Sequence, residues 1–139
     1  MAGFTDAWEI NILNHFIGNL PATVPSTIYV GLSTTTINAA GGNITEPGGG
    51  AYERLATANN LATWPSGNPK VNGVTLTFQR ATGTWGQIVD FFLANHATSS
   101  AAGNIIAFGT LVVPLTVNAG NTPSFGVGAL RVRLTNVSP

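Results

Sequence analysis

Apolar and polar residues alternate through the middle of the chain. In GVTLTFQRA, residues 73–81, Val74, Leu76 and Phe78 alternate with Thr75, Thr77 and Gln79, the period-two pattern of a half-buried strand. The next segment, ATGTWGQIVDFFLAN at residues 81–95, behaves differently. Read as a strand, it points Trp85, Gln87, Val89, Phe91 and Leu93 to one side and Gly86, Ile88, Asp90, Phe92 and Ala94 to the other. Both sides carry large apolar groups, so two separate covers are required.

The N-terminal segment has a helical period instead. In TDAWEINILNHFIGN, apolar residues recur at Trp8, Ile12 and Phe16 and at Ile10, Leu13 and Ile17. Asp6 as N-cap, with Glu9 three residues on, fits the helix start. Gly18-Asn19 followed by Pro21 is a stop signal. The apolar residues cover more than one face. The helix either caps one end of a barrel or sandwich or docks on a neighbour, since a wide stripe alone does not decide.

After Pro25 the pattern is β throughout. STIYVGLST (near 26–34), YERLATA, GVTLTFQRA, the 81–95 segment and IIAFGTLVVP all read as strands. The chain then ends in a stretch where Leu130, Val132 and Leu134 point inward and Arg131 and Arg133 outward. Two long connections interrupt them, TINAAGGNITEPGGGAY and NNLATWPSGNPKVNG; loops of this length in compact domains tend to be functional or disordered. About eight short strands with Gly, Pro, Asn and Ser punctuation predict a mainly β protein. We expect an antiparallel, jelly-roll-like β-sandwich with one N-terminal α-helix. An immunoglobulin-like sandwich is the alternative. One domain over 1–139 is expected, with the helix in 1–20 and the sandwich in 26–136.

Charge changes this picture most. Charged residues make up 7% of the chain, five basic and five acidic, against about 25% in an ordinary soluble domain. No polybasic surface for nucleic acid or for a membrane exists. No apolar run reaches the ~20 residues that span a bilayer, and the N-terminus does not resemble a signal peptide, so a cytosolic product is expected. With no cysteine, disulfides and thiolate metal sites are ruled out. A neutral surface rich in Thr, Asn and Ser does little to oppose self-association.

Catalytic and cofactor patterns are missing. Asp6, Glu9, Glu46, Glu53 and Asp90 show no pairing of the kind a two-carboxylate hydrolase needs. His15 and His96 are far apart and lack metal-ligand spacing. No serine sits in a G-x-S-x-G elbow, and GGNITEPGGG lacks the G-K-[ST] of a phosphate loop. The sequons at Asn43 and Asn136 matter only in a protein secreted from a eukaryote. No enzyme activity, cofactor, metal, nucleic acid or membrane partner is expected. Asp90, set in an apolar strand, reads as an edge or interface residue paired with an arginine, or as bonded to a turn. Arg131 and Arg133 share a face, where they either protect a sheet edge or meet carboxylates of a partner.

The phrases STIYVGLSTT, ITEPGGGAYERL, NGVTLTFQRATGTWGQIVDFFLAN and GNIIAFGTLVVPLTVNAGNTPSFGVGALRVRL follow one another in this order. The chain resembles small virion proteins of tailed bacteriophages known as phage tail fibre proteins, and similar domains that serve as capsid decoration, or cement, proteins. The resemblance covers almost the whole chain; Gln79-Arg80 before ATGTWG and Asp90 depart from the usual pattern. It implies a β-sandwich or jelly-roll protein that assembles, as a homotrimer, on a phage particle made in the bacterial cytoplasm. One face of residues 85–94 would then pack on the opposite sheet, and the other under the N-terminal helix or a neighbouring subunit.

Two particle roles follow from the resemblance. In the first, the chain is a cement protein on the outer capsid, bound to the major capsid protein and stabilising the particle. In the second it is a tail-fibre or tail-associated protein, in which loops present aromatics such as Trp64 and Tyr52 to a host glycan. The expected subunit or capsid interface residues are Trp8, Phe16, Trp85, Asp90, Phe92, Arg131 and Arg133.

Overall fold

A computed structural model describes residues 3–134. The C-terminal sequon, Asn136 to Ser138, and the end of the expected sandwich at 136 lie outside the described residues. Among them the strands are β1 (Gly3–Phe4), β2 (Thr27–Ser33), β3 (Leu55–Ala58), β4 (Lys70–Val71), β5 (Leu76–Thr77), β6 (Gly86–Ala94), β7 (Ile105–Val117), β8 (Ser124–Phe125) and β9 (Arg131–Val132). The helix α1 runs from Asp6 to Phe16. Five strands form one antiparallel sheet in the order β1-β7-β6-β2-β3. Two short ribbons, β4-β9 and β5-β8, lie apart from it. The protein is mainly β with one helix, consistent with a β-sandwich.

The main core lies between the sheet and those ribbons. Val30, Leu32, Ile88, Phe91 and Leu93 from the sheet meet Trp64, Leu76, Phe78, Phe125, Leu130 and Val132 from the other layer. Trp85 sits in this core edge-on to Tyr52 and Phe78, with centroids at 5.2 and 6.3 Å, geometries favourable to aromatic pairs. The strand expected over 73–81 shrinks to Leu76–Thr77. Leu76 and Phe78 are buried as the alternation predicts, while Val74 and Leu134 are exposed.

A bulge decides which way β6 faces. Ile88 pairs with Leu115, and Asp90 with Thr110. A step of two residues on β6 is therefore matched by five on β7. The irregularity shifts the alternation, so Ile88, Phe91 and Leu93 share the main core. Phe92 and Ala94 face a second cluster with Ile37, Ile105 and Phe108. Trp85 and Phe92 lie on opposite sides, as the sequence predicts, but Ile88 has changed sides.

The helix, one of the two covers expected, does not reach this second face. The chain's own loop after β2 does, with Ile37 buried in the cluster and Ile44 packed against it. The Arg54 guanidinium completes the cover, 4.8 Å from the centroid of the Phe92 ring. Gly31, opposite Phe92 in the β2-β6 register, leaves the space the ring fills. A Cβ there would lie 2.1 Å from Phe92 Cζ.

Candidate interaction surface

The cover of Phe92 is held by one arginine. Arg54 Nε and Nη2 donate to Glu46 Oε1 and Oε2 at 3.0 and 2.7 Å, a two-pronged ion pair. Nη1 donates to the carbonyls of His96 and Ser99 at 2.8 and 2.9 Å, and Nη2 also to Ser100 Oγ at 2.7 Å. All five guanidinium donors are thereby engaged. Tyr52 Oη donates to Glu46 Oε1 at 2.8 Å and accepts from the Leu32 N–H at 2.8 Å. Burial foremost, then the Glu46 charge, holds the Tyr52 hydroxyl well above its ordinary pKa. Both Glu46 oxygens accept hydrogen bonds, and the pair ties three segments together. This is a structural clamp.

The adjoining Gly-rich stretch has a packing role. Gly50, at φ 61°, lies so close to the 81–85 turn that a Cβ would sit 2.9 Å from Gly83 O. Its carbonyl accepts from Thr82 N–H at 3.0 Å and Trp85 Nε1 at 2.8 Å. Two of the quoted phrases, EPGGGAYERL and ATGTWG, therefore meet in space.

Asp90 is fully buried and accepts from the Ile37 N–H at 2.7 Å through Oδ2. It anchors the loop that covers Phe92. The turn-bonded reading of Asp90 agrees with this geometry, and no arginine pairs with it in the described structure. Trp85, Asp90 and Phe92, expected at an interface, lie inside the subunit, where a partner reaches them only by unfolding it. Trp64 is buried as well, its Nε1 donating to Thr57 Oγ1 at 3.3 Å. The Tyr52 hydroxyl is engaged inside, while its half-buried ring lines a surface pocket with Glu46, Pro47 and Ala97.

The N-terminal region is built the other way. Thr5, not Asp6, is the N-cap residue, and its side chain makes no cap bond. Its Oγ1 donates instead to the Ile105 carbonyl at 2.6 Å, while Asp6 N–H donates to Ala39 O at 3.1 Å. These bonds moor the start of α1 to the sheet. Trp8 is half-buried, packs against the main core and donates through Nε1 to Gly103 O at 3.1 Å. Beyond Trp8 the helix leaves the body. No residue of α1 is buried, and Phe16 is 78% exposed. At the far end Leu20 N–H reaches back to Asn14 O at 3.1 Å, with Asn19 at φ 52°, a turn of the kind expected from Gly18-Asn19.

A groove of about 350 Å³ opens between α1 and the sheet. Trp8, Ile12, Phe16, Val24, Ile28 and Val132 are among the side chains that line it. Ile10, Leu13, Ile17 and Leu20, none of which lines the groove, are all more than half exposed. A second projection lies in β7, where the three extra residues push Val112 and Val113 out to 98% and 75% exposure. Arg131 and Arg133 are exposed near the C-terminal edge. Of the seven expected interface residues, Trp8, Phe16, Arg131 and Arg133 thus remain accessible. Sequence reasoning missed the Val112-Val113 projection; its signal was the run LVVP, which overfills a strand face.

Residues 3–133 match the family described as podophage GP4 fiber I protein gp80. The chain belongs to this family. It is a structural protein of a bacteriophage and a component of the virion. No curated protein matches the chain. Among the described residues, no group of three His, Cys, Asp or Glu side chains gathers to hold a metal ion, and no helix is long and apolar enough to cross a membrane.

Proposed function

We propose that the chain is a non-enzymatic, homotrimeric subunit of a tail fibre, joined to the particle through its N-terminal region. Membership of a podophage fibre family carries this reading. The uncovered apolar surface on α1 supports it, because a protein surface of this kind marks a binding site. The few charged side chains near the surface, Arg131 and Arg133 among them, would set orientation and leave most of the binding to apolar contact. No glycan contact is assigned: Trp64 is buried and the Tyr52 hydroxyl is bonded within the subunit.

The second reading is a capsid cement protein bound to the major capsid protein on the outer capsid. The same neutral, apolar surface favours it, since a subunit that binds only the assembled lattice stabilises that lattice by mass action. Particles with and without the protein separate the two readings. A fibre subunit changes host adsorption and leaves the heat resistance of the particle unaltered. A cement subunit changes heat resistance, and its release responds weakly to salt because few ionic contacts are screened. Particles equal in both respects would sink both readings.

A further inference from the structure

We propose that the Asn72-Gly73 step is a self-modification site, which the fold holds unreactive and which deamidates irreversibly when the β4-β9 ribbon parts. Three observations carry it.

The first is the sequence. Asn72-Gly73 is the one Asn-Gly step in the chain. At such a step the backbone nitrogen of the glycine attacks the asparagine Cγ with no side chain in its way. The bond from Cγ to Nδ2 breaks, and ammonia leaves with the proton that Gly73 N gives up. A succinimide ring remains. Water opens the ring at either of its carbonyls. One product is aspartate at position 72. The other is isoaspartate, which places an extra carbon in the main chain between β4 and β5. Water is the single co-reactant.

The second is the geometry that holds the reaction off. Asn72 is fully buried. Its Nδ2 donates to Val74 O at 2.9 Å and to Gly126 O at 2.8 Å, and its Oδ1 accepts from the Leu130 N–H at 2.9 Å. Both amide donors and the acceptor are therefore engaged. The attacking nitrogen is engaged as well, since Gly73 N–H donates to Thr63 O at 2.7 Å. Attack requires the side chain to turn and these bonds to break, and breaking them inside the subunit leaves each group buried without a partner. Opening the site to water removes that barrier.

The third is that neither residue is exchangeable. A Cβ on Gly73 would lie 2.6 Å from Pro65 Cγ and 2.7 Å from Ala62 O, so the close approach to the 62–65 turn demands glycine. An ionised aspartate at 72 has no donor for the two carbonyls, and it would bury a negative oxygen against them. The fold thus requires the reactive pair, and the product no longer satisfies the fold. Leu130, 1% exposed in the main core, loses its anchor, and Val132 beyond it loses the same support. The β4-β9 pairing beside the site spans two residues on each strand. So short a pairing opens at less cost than the five-stranded sheet. The subunit therefore carries a chemical record of time spent open, written as a one-way release of its C-terminal segment.

Peptide mass spectrometry of the purified full chain tests the proposal. Native protein and protein unfolded in guanidinium chloride are held side by side at mildly alkaline pH. Conversion at Asn72 should be at least ~10-fold slower in the native protein, the factor that ~1.4 kcal/mol of opening free energy supplies. Unfolded Gly73→Ala chains should convert more slowly than unfolded wild type, because the added methyl group hinders attack. Converted chains, returned to folding conditions, should denature at lower urea than unconverted ones. Asn72→Asp should show the same loss without incubation, complete if it fails to fold. Equal conversion of native and unfolded protein overturns the proposal, as does the absence of conversion in the unfolded chain. Converted chains or an Asn72→Asp protein with the wild-type urea midpoint would overturn it too.

Discussion

The second face of β6 and the groove face of α1 both carry large apolar side chains and are opposite in fate. Phe92 on β6 is fully buried, and Phe16 on α1 is 78% exposed. Around Phe92 the chain supplies a loop, a glycine and a saturated arginine. Around Phe16 it supplies a groove open on one side. An apolar face that its own chain covers contributes to stability. One that its chain leaves open is available for association. Changes in the two regions should therefore fail in different assays.

The largest effect is expected at the clamp. Arg54→Ala strips the partner from Glu46, whose side chain is 22% exposed; breaking a buried pair costs about 3–5 kcal/mol, and this one should fall near the lower end. Thermal denaturation should show it. Replacing both residues by apolar ones of similar volume should recover much of the loss, whereas equal loss in single and double variants would contradict this account. Phe92→Ala should cost a comparable 3–5 kcal/mol, for loss of contacts and the cavity left beneath Arg54. Gly31→Ala perturbs the same contact from the other side, because its Cβ meets the Phe92 ring. Overpacking of this type costs about 1–3 kcal/mol.

Asp90→Leu is expected to cost about 1–3 kcal/mol, since the buried Ile37 N–H loses its acceptor. Asp90→Asn keeps an acceptor and should lose less. A reversed order in urea titration would remove Asp90 as the anchor of the loop.

Tyr52 adds a pH dependence. Its hydroxyl pKa is raised in the folded protein from the ordinary 10.0. The folded state therefore holds its proton more tightly than the unfolded chain does. The associated stability is complete below pH 10 and declines as pH rises above it. Tyr52→Phe should flatten that decline when unfolding is followed from pH 8 to pH 11. An unchanged slope would assign the decline to other groups.

The smallest stability effect is expected at Phe16. As an exposed residue, Phe16→Ala should shift unfolding by no more than about 0.5 kcal/mol. A loss of several kcal/mol would show that the open face is part of the fold, and the contrast with Phe92 would collapse.

The alternation of Leu76 with Thr77, the two-sided run from Ile88 to Ala94 and the 3.6-residue period through α1 could be read directly from the sequence. These signals depend on nearby residues in the chain, and so did the low charge that pointed away from nucleic acid and membranes. The clamp could not be read in this way. Glu46, Arg54 and residues 96–100 are separated in sequence and meet only when β2, β3 and β6 pair. Asn72 was equally hidden: its side chain bonds Leu130 N–H and the carbonyls of Val74 and Gly126, pinning the C-terminal segment from 58 residues away. Asp90 stood out by composition, but its partner at Ile37 did not.

The sequence by itself determined that this chain is mainly β, with an N-terminal helix apolar on more than one face and more apolar surface than one sheet face can absorb. Those properties follow from side-chain chemistry and period, which any short window of the chain displays. Only the tertiary structure decided which apolar face is closed and which is open. Burial is a relation between distant segments. Periodicity shows that Phe92 and Phe16 each need a cover, and only the folded chain shows that a loop and Arg54 reach one of them and nothing in the described subunit covers the other.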